Sequence, residues 1–189
     1  MNEPVLGVIG LGFVGQPTVA ALANVGYQVV GMDIESEKVN SLKKSVATIY
    51  EPGLNETLRR TRKNCRFTTD FEEMMDACDA VLITVGTPLD ENNVPDYTGL
   101  NTVVKQIAKF LRTGQTIILR STVSPGTTRK VAEDLEACTD MKCGRDFFLS
   151  FCPERTIEGL ALYELDNLPK IFSGITPESS DKTIELLKR

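Results

Sequence analysis

The stretch CPERTIEG, residues 152–159, gathers a thiol, two carboxylates and a guanidinium. Such a set can do chemistry in two ways. Cys152 can attack an electrophile if a base takes its proton, and Glu154 is close enough in sequence to be that base. Alternatively these residues do different jobs, or Glu154 and Arg155 form a mutual salt bridge with no chemistry. The chain contains no histidine, which excludes Ser-His and Cys-His couples and any His-ligated zinc. No metal site is expected. Pro153 beside it and the lack of a histidine to activate it weigh against Cys152 as a nucleophile.

A second constellation lies near the N-terminus. VIGLGFVG places Gly10, Gly12 and Gly15 in GxGxxG spacing, after an apolar run and before a segment of small residues. In that context Gly10 permits a tight turn, Gly12 lets backbone approach a pyrophosphate, and Gly15 lets helix and strand pack closely. The helix N-terminus then offers its free N–H groups to phosphate. The next apolar run closes on GMDI, so Asp33 can accept hydrogen bonds from an adenosine ribose and repel a 2′-phosphate. NAD is therefore expected over NADP. Asp33 can also cap a helix beginning near Glu35, and the two roles are compatible.

These residues need a scaffold that brings them together. Five apolar runs, at 5–9, 27–31, 80–85, 116–120 and 147–151, lack polar alternation and fit strands buried on both faces. Helical patterns lie between them at about 14–25, 35–44, 53–62, 98–111 and 126–137, and TPESSDKTIELLKR opens as another, with Thr176 as cap and Pro177 at the first position. The fourth of these carries Leu100, Val103, Val104, Ile107, Ala108 and Leu111 on one face, with Asp96 or Thr98 as cap. Alternation of this kind predicts an α/β fold: a Rossmann-like, doubly wound, mainly parallel sheet with helices on both faces. Ligands then bind beyond the carboxyl ends of the strands, where the glycine loop, Asp33, GTPLDENNVPDYTG, STVSPGTT and CPERTIEG all fall. In STVSPGTT, Ser121 and Thr122 can bind a nicotinamide ribose or a substrate hydroxyl, or simply cap the next helix.

Composition limits the remaining choices. At 189 residues there is room for one substantial core, and a net charge of −5 argues against a polyanion partner, so no nucleic-acid binding is expected. The N-terminus has neither a cationic leader nor a long apolar span, so no membrane association is expected and the cytoplasm is the default. Five cysteines without a CxxC pair read as reduced thiols.

Taken together, GVIGLGFVGQPTVAALA, MDIESEKVNSL, IYEPGL, GTPLDENNVPDYT, STVSPGTT and CPERTIEGLALYELDNLPKI resemble the N-terminal domain of the UDP-glucose/GDP-mannose dehydrogenase family of nucleotide-sugar 6-dehydrogenases. The resemblance spans nearly all of the chain. Glu154-Arg155 is similar to the branch acting on UDP-N-acetylmannosamine or UDP-N-acetylglucosamine, since the UDP-glucose branch carries Glu-Phe-Leu there. The family resemblance implies a two-step, four-electron oxidation of a sugar C6 alcohol to a carboxylate with NAD, for polysaccharide biosynthesis. A cysteine captures the aldehyde as a thiohemiacetal, and water hydrolyses the thioester that follows. By matched motif, Phe13, Val14, Asp33, Lys38, Thr87 and Thr122 join the three glycines as NAD contacts. Glu154 is implied as the residue handling the hydrolytic water, with Thr122 beside the chemistry, and Arg155, Thr156 and Glu158 as contacts to the UDP-sugar.

In the family the nucleophile sits in a glycine-rich segment of a second, sugar-binding domain, and no cysteine here has such neighbours. Residues 1–189 are therefore expected to be one NAD-binding domain cut from a longer protein, lacking the central helix through which the whole protein would form a homodimer. Alone, it is expected to bind NAD without turnover. Two alternatives are a UDP-glucose or GDP-mannose substrate, and a noncatalytic dinucleotide-binding regulatory module.

Overall fold

The computed structural model describes residues 3–187. Its strands are β1 (Val5–Ile9), β2 (Gln28–Met32), β3 (Cys65–Thr68), β4 (Ala80–Ile83), β5 (Thr116–Leu119), β6 (Phe148–Phe151) and β7 (Ser173–Gly174). Its helices are α1 (Gly15–Asn24), α2 (Ser36–Lys43), α3 (Leu54–Arg60), α4 (Phe71–Ala77), α5 (Thr98–Phe110), α6 (Thr127–Cys138), α7 (Ala161–Asn167) and α8 (Pro177–Leu187). The strands form one sheet in the order β3-β2-β1-β4-β5-β6-β7. All neighbours run parallel except β6 and β7. The chain reverses its direction of travel across the sheet between β1 and β4, which is where an open α/β sheet leaves a crevice for a ligand.

The apolar runs are strands because each buries both faces. Ile9, Val81, Ile83, Ile117 and Leu119 point into one core with Met74, Leu100, Ile107 and Leu135. Their neighbours Val8, Leu82 and Ile118 point into the other, with Val19, Leu42, Leu54 and Leu58. Side chains that alternate across a pleat fill both layers when nearly every position is apolar. In α5, Leu100, Val104 and Ile107 are the buried face. Asp96, rather than Thr98, serves its start: Asp96 Oδ1 accepts the Thr98 N–H at 2.8 Å. Thr176 caps α8 as expected, its Oγ1 accepting the Ser179 N–H at 3.2 Å.

Four elements have no counterpart in the sequence reading. β3 is CRFT, an edge strand whose polar residues hide it. α4 is capped by Asp70, whose Oδ1 accepts the Glu73 N–H at 3.1 Å, and the Asp-x-x-Glu pattern ahead of Met74 and Met75 was its signal. α7 buries only Ala161, so it carries no amphipathic periodicity. β7 is two residues long.

Candidate cofactor and substrate site

At the end of β1 the chain turns through Gly10, whose φ of +92° is costly for any residue with a Cβ. Gly15, at the start of α1, lies so close to the turn that a Cβ there would sit 1.9 Å from the Gly10 carbonyl oxygen. A Cβ on Gly12 would meet no protein atom within 4 Å. Gly10 and Gly15 are thus glycines for the fold, whereas Gly12 leaves an open approach to the backbone and to the free N–H groups at the start of α1.

Asp33, buried at the end of β2, is fixed by three donors. Its Oδ2 accepts the Leu11 N–H at 2.7 Å and the Lys38 amine at 3.0 Å, and its Oδ1 accepts the Glu35 N–H at 3.0 Å. The turn role and the glycine-loop role therefore coexist in one carboxylate. Lys38 also reaches Glu35 Oε1 at 3.0 Å. Burial alone would lower the Lys38 pKa, but hydrogen bonds to Glu35 and Asp33 outweigh it and hold the amine above its ordinary value. Two carboxylates against one ammonium leave this corner net negative, which disfavours a 2′-phosphate. A cavity of about 450 Å³ opens beside it, bounded by Gly10, Gly12, Asp33, Ile34, Lys38 and the Thr102–Val103 face of α5. Ile34 is 86% exposed, an apolar side chain at the mouth of the cavity that the sequence reading passed over.

On the other side of the reversal point, Ser121 Oγ donates to the Val85 carbonyl at 2.6 Å. Ser121 is buried and its proton joins the ends of β4 and β5, so only its acceptor lone pairs remain for a ligand. No hydroxyl caps α6: its cap position is Gly126, in a left-handed conformation with no side-chain bond. Thr122 is exposed, and its carbonyl accepts the Thr87 hydroxyl at 2.7 Å. Tyr97 Oη accepts the Ser124 N–H at 2.7 Å, a second latch between the long loop after β4 and the loop after β5. Phe13, Val14, Thr87 and Thr122 lie on the surrounding loops outside the cavity wall.

CPERTIEG follows β6. Cys152 is 1% exposed and burial pushes its thiol pKa up, with the positive charge of Arg120 only partly offsetting that. A protonated, buried thiol is no nucleophile. Glu154 does not pair with the Arg155 guanidinium, which donates instead to the Pro169 carbonyl. The partner of Glu154 is Arg120, the charge that ends the run TIILR. These side chains are 11% and 5% exposed, and Arg120 Nη2 donates to Glu154 Oε2. Glu154 Oε1 accepts the N–H groups of Arg155 at 2.8 Å and Thr156 at 3.0 Å. Burial would raise the Glu154 pKa, but the charge and hydrogen bond of Arg120 and the two amides outweigh it and hold the carboxyl below its ordinary value. An ionised carboxylate offers about four acceptor sites, and three are used here. Arg155 and Glu158 are exposed and Thr156 is half-buried. Arg120 was missed because a basic residue closing a buried strand reads as surface. No local pattern signals it, since Arg155 stands beside Glu154 in sequence and Arg120 lies 34 residues away.

Residues 5–189 match the UDP-glucose/GDP-mannose dehydrogenase family, NAD binding domain. The chain belongs to that family. It is 36% identical over 187 residues to a UDP-N-acetyl-D-mannosamine dehydrogenase of Methanococcus maripaludis, covering 96% of this chain and 41% of that protein. It is 35% identical over 188 residues to a GDP-mannose 6-dehydrogenase of Pseudomonas syringae, covering 96% and 43%. Among solved structures, UDP-D-ManNAc dehydrogenase from Pyrococcus horikoshii superposes with a TM-score of 0.93 at 32% identity, over 97% of this chain and 44% of that one. The chain thus spans less than half the length of these relatives.

The observed loop fits the NAD of this family's domain: Gly12 leaves room for the approach, α1 supplies N–H donors, and Asp33 retains acceptor capacity toward the cavity. Among the described residues no group of three or more Cys, Asp or Glu is arranged to hold a metal, and no helix is long and apolar enough to cross a membrane. Replacing Asp33 tests cofactor choice. Asp33→Ala strands the Leu11 amide and frees Lys38 for a phosphate, so NAD affinity should fall by about 1–3 kcal/mol and NADP discrimination should shrink. Calorimetry with both dinucleotides measures this, and unchanged affinity for each would make Asp33 a turn residue only.

Proposed function

We propose that residues 1–189 form the cofactor half of a nucleotide-sugar 6-dehydrogenase, oxidising the C6 alcohol of a UDP-N-acetylhexosamine to the uronate in two NAD-dependent steps. The observation that carries this reading is Glu154, an ionised carboxylate with one unused acceptor site, held at the sheet edge that also bears the glycine loop. NAD, when bound, accepts a hydride in each oxidation. Gly12 and the start of α1 bind the pyrophosphate, Asp33 takes the ribose hydroxyls, and Thr87 and Thr122 border the nicotinamide end. Phe13, Val14 and Lys38 complete the cofactor contacts.

The remaining acceptor site of Glu154 orients the water that hydrolyses the thioester. With its pKa held low, it polarises that water by fixed negative charge more than by taking a proton at neutral pH. Arg155, Thr156 and Glu158 face the UDP-sugar. The nucleophile and the sugar-binding half are assigned to chain outside these residues, as is the contact that makes a homodimer.

Relatives acting on GDP-mannose are as similar as those acting on UDP-N-acetyl-D-mannosamine, so identity alone does not choose the sugar. Arg155 supports the N-acetylhexosamine. Residues 1–189 should bind NAD by calorimetry and form no NADH from any nucleotide sugar. The product of the whole reading frame, given a panel of UDP- and GDP-sugars, should reduce NAD with UDP-N-acetylmannosamine or UDP-N-acetylglucosamine. A preference for UDP-glucose or GDP-mannose would reject the substrate, and absence of NADH with every sugar would favour a binding module.

A further inference from the structure

Between α2 and α3 runs a segment, residues 44–53, with no regular structure, whose polar groups tie together the two halves of the site. At one end stands Gln16, fully buried at the start of α1. Its Nε2 donates to the Leu11 carbonyl of the glycine loop at 2.7 Å and to Thr48 Oγ1 at 2.8 Å, and its Oε1 accepts the Thr48 N–H at 3.0 Å. At the other end stands Glu51, 8% exposed. Its Oε2 accepts the Gly159 N–H at 2.9 Å and its Oε1 the Leu162 N–H at 3.2 Å. Its two oxygens hold both sides of the bend that follows Arg155, Thr156 and Glu158.

A buried carboxylate is an expensive way to satisfy two backbone amides that α7 could leave to water. It is also a directional one, because each carboxylate oxygen accepts a different amide and one side chain thereby fixes two points of the chain. From the Leu11 carbonyl through Gln16, Thr48 and Glu51 to the 154–162 loop there is no link weaker than a hydrogen bond or the backbone. We propose that Glu51 is a positioning residue for the 154–162 loop, and that the 48–51 strap couples that loop to the glycine loop. Movement of Leu11 when a dinucleotide seats on Gly12 is passed to Gly159 and Leu162. The coupling rests on the reading of these loops as cofactor and substrate elements, and it assigns Glu51 and Gln16 a part that neither contact with NAD nor contact with sugar would give them.

Amide hydrogen exchange at Gly159 and Leu162, followed by NMR on residues 1–189 with and without saturating NAD, tests it. In the wild type the two amides should change their exchange rates on NAD binding. Glu51→Ala should speed their exchange by about tenfold, the scale of one lost hydrogen bond, and should abolish the response to NAD while NAD affinity stays within about threefold. Thr48→Val, an exposed and mild change at the far end, should weaken the response with Glu51 intact. A simple helix cap would lose protection in Glu51→Ala but show no response to NAD in the wild type. That result, or a response that survives both substitutions, would overturn the coupling. Failure of wild-type NAD binding in the calorimeter is the separate failure of the cofactor reading and removes the coupling with it. Failure with the sugar panel leaves the exchange result standing.

Discussion

Arg120→Leu should destabilise the domain by about 3–5 kcal/mol at pH 7, the cost of leaving one member of a buried ion pair uncompensated. The pair is nearly dry, with side chains 5% and 11% exposed. Leucine can fill the space of the stem but cannot answer the charge of Glu154, which the Arg155 and Thr156 amides serve only at Oε1. Replacing both members, as Arg120→Leu with Glu154→Leu, should recover only part of the loss: the uncompensated charge is gone, but the Arg155 and Thr156 amides lose their acceptor. The pH dependence separates this account from simple loss of packing. In the wild type the folded-state pKa of Glu154 is depressed. Its contribution is therefore present above the unfolded glutamate value of about 4.3 and is lost as pH falls through the lower folded value. Without Arg120, burial is the main influence left and opposes ionisation, so acid relieves the variant instead of costing it. The gap between wild type and variant should narrow from pH 7 to pH 4 in urea unfolding. A gap below about 1 kcal/mol, or one independent of pH, would mean that the pair is screened by water and does not hold Glu154.

The same pair shows where sequence reading reached and where it stopped. Gly10, Gly15 and Asp33 were legible because each is required locally, by a turn, a close approach or a strand end. The five buried strands were legible because two-sided burial leaves few polar positions, Thr116 and Ser150 being the buried exceptions. Arg120 and Glu154 are 34 residues apart in sequence, and Glu51 lies 108 residues from Gly159. Nothing in the local pattern of either partner announces the other. The one ion pair that sequence reading could weigh for Glu154 was with Arg155, whereas the neighbour that sets its charge follows the adjacent strand. Ser121, which sequence reading left between a ligand contact and a helix cap, gives its proton to the Val85 carbonyl of another loop. Tertiary partners decide which polar residues are spent on the fold and which remain for a ligand.

Two glycines of one motif make that division measurable. Gly15→Ala should be strongly destabilising: its Cβ would lie 1.9 Å from the Gly10 carbonyl oxygen and 3.0 Å from Thr84 Oγ1. Neither can yield cheaply, because the single proton of Thr84 Oγ1 lies between that carbonyl, at 2.7 Å, and the Ile9 carbonyl, at 2.9 Å. Relief requires α1 to move off the sheet, at a cost of about 3 kcal/mol or more, the upper end of overpacking. At the size of this domain that lowers the melting temperature by about 6–12 °C. Gly12→Ala should behave oppositely. Its new methyl group meets no protein atom within 4 Å, and Gly12 is not among the glycines with positive φ, so stability should stay within about 0.5 kcal/mol. The methyl would occupy the approach that a pyrophosphate needs, and NAD affinity should fall by at least about tenfold. Thermal unfolding and NAD calorimetry on both variants give four numbers, and the expected pattern is crossed: one loses the fold, the other the ligand. If Gly12→Ala bound NAD like the wild type, the dinucleotide would not approach the chain at Gly12, and the glycine loop would be a turn rather than a phosphate cradle.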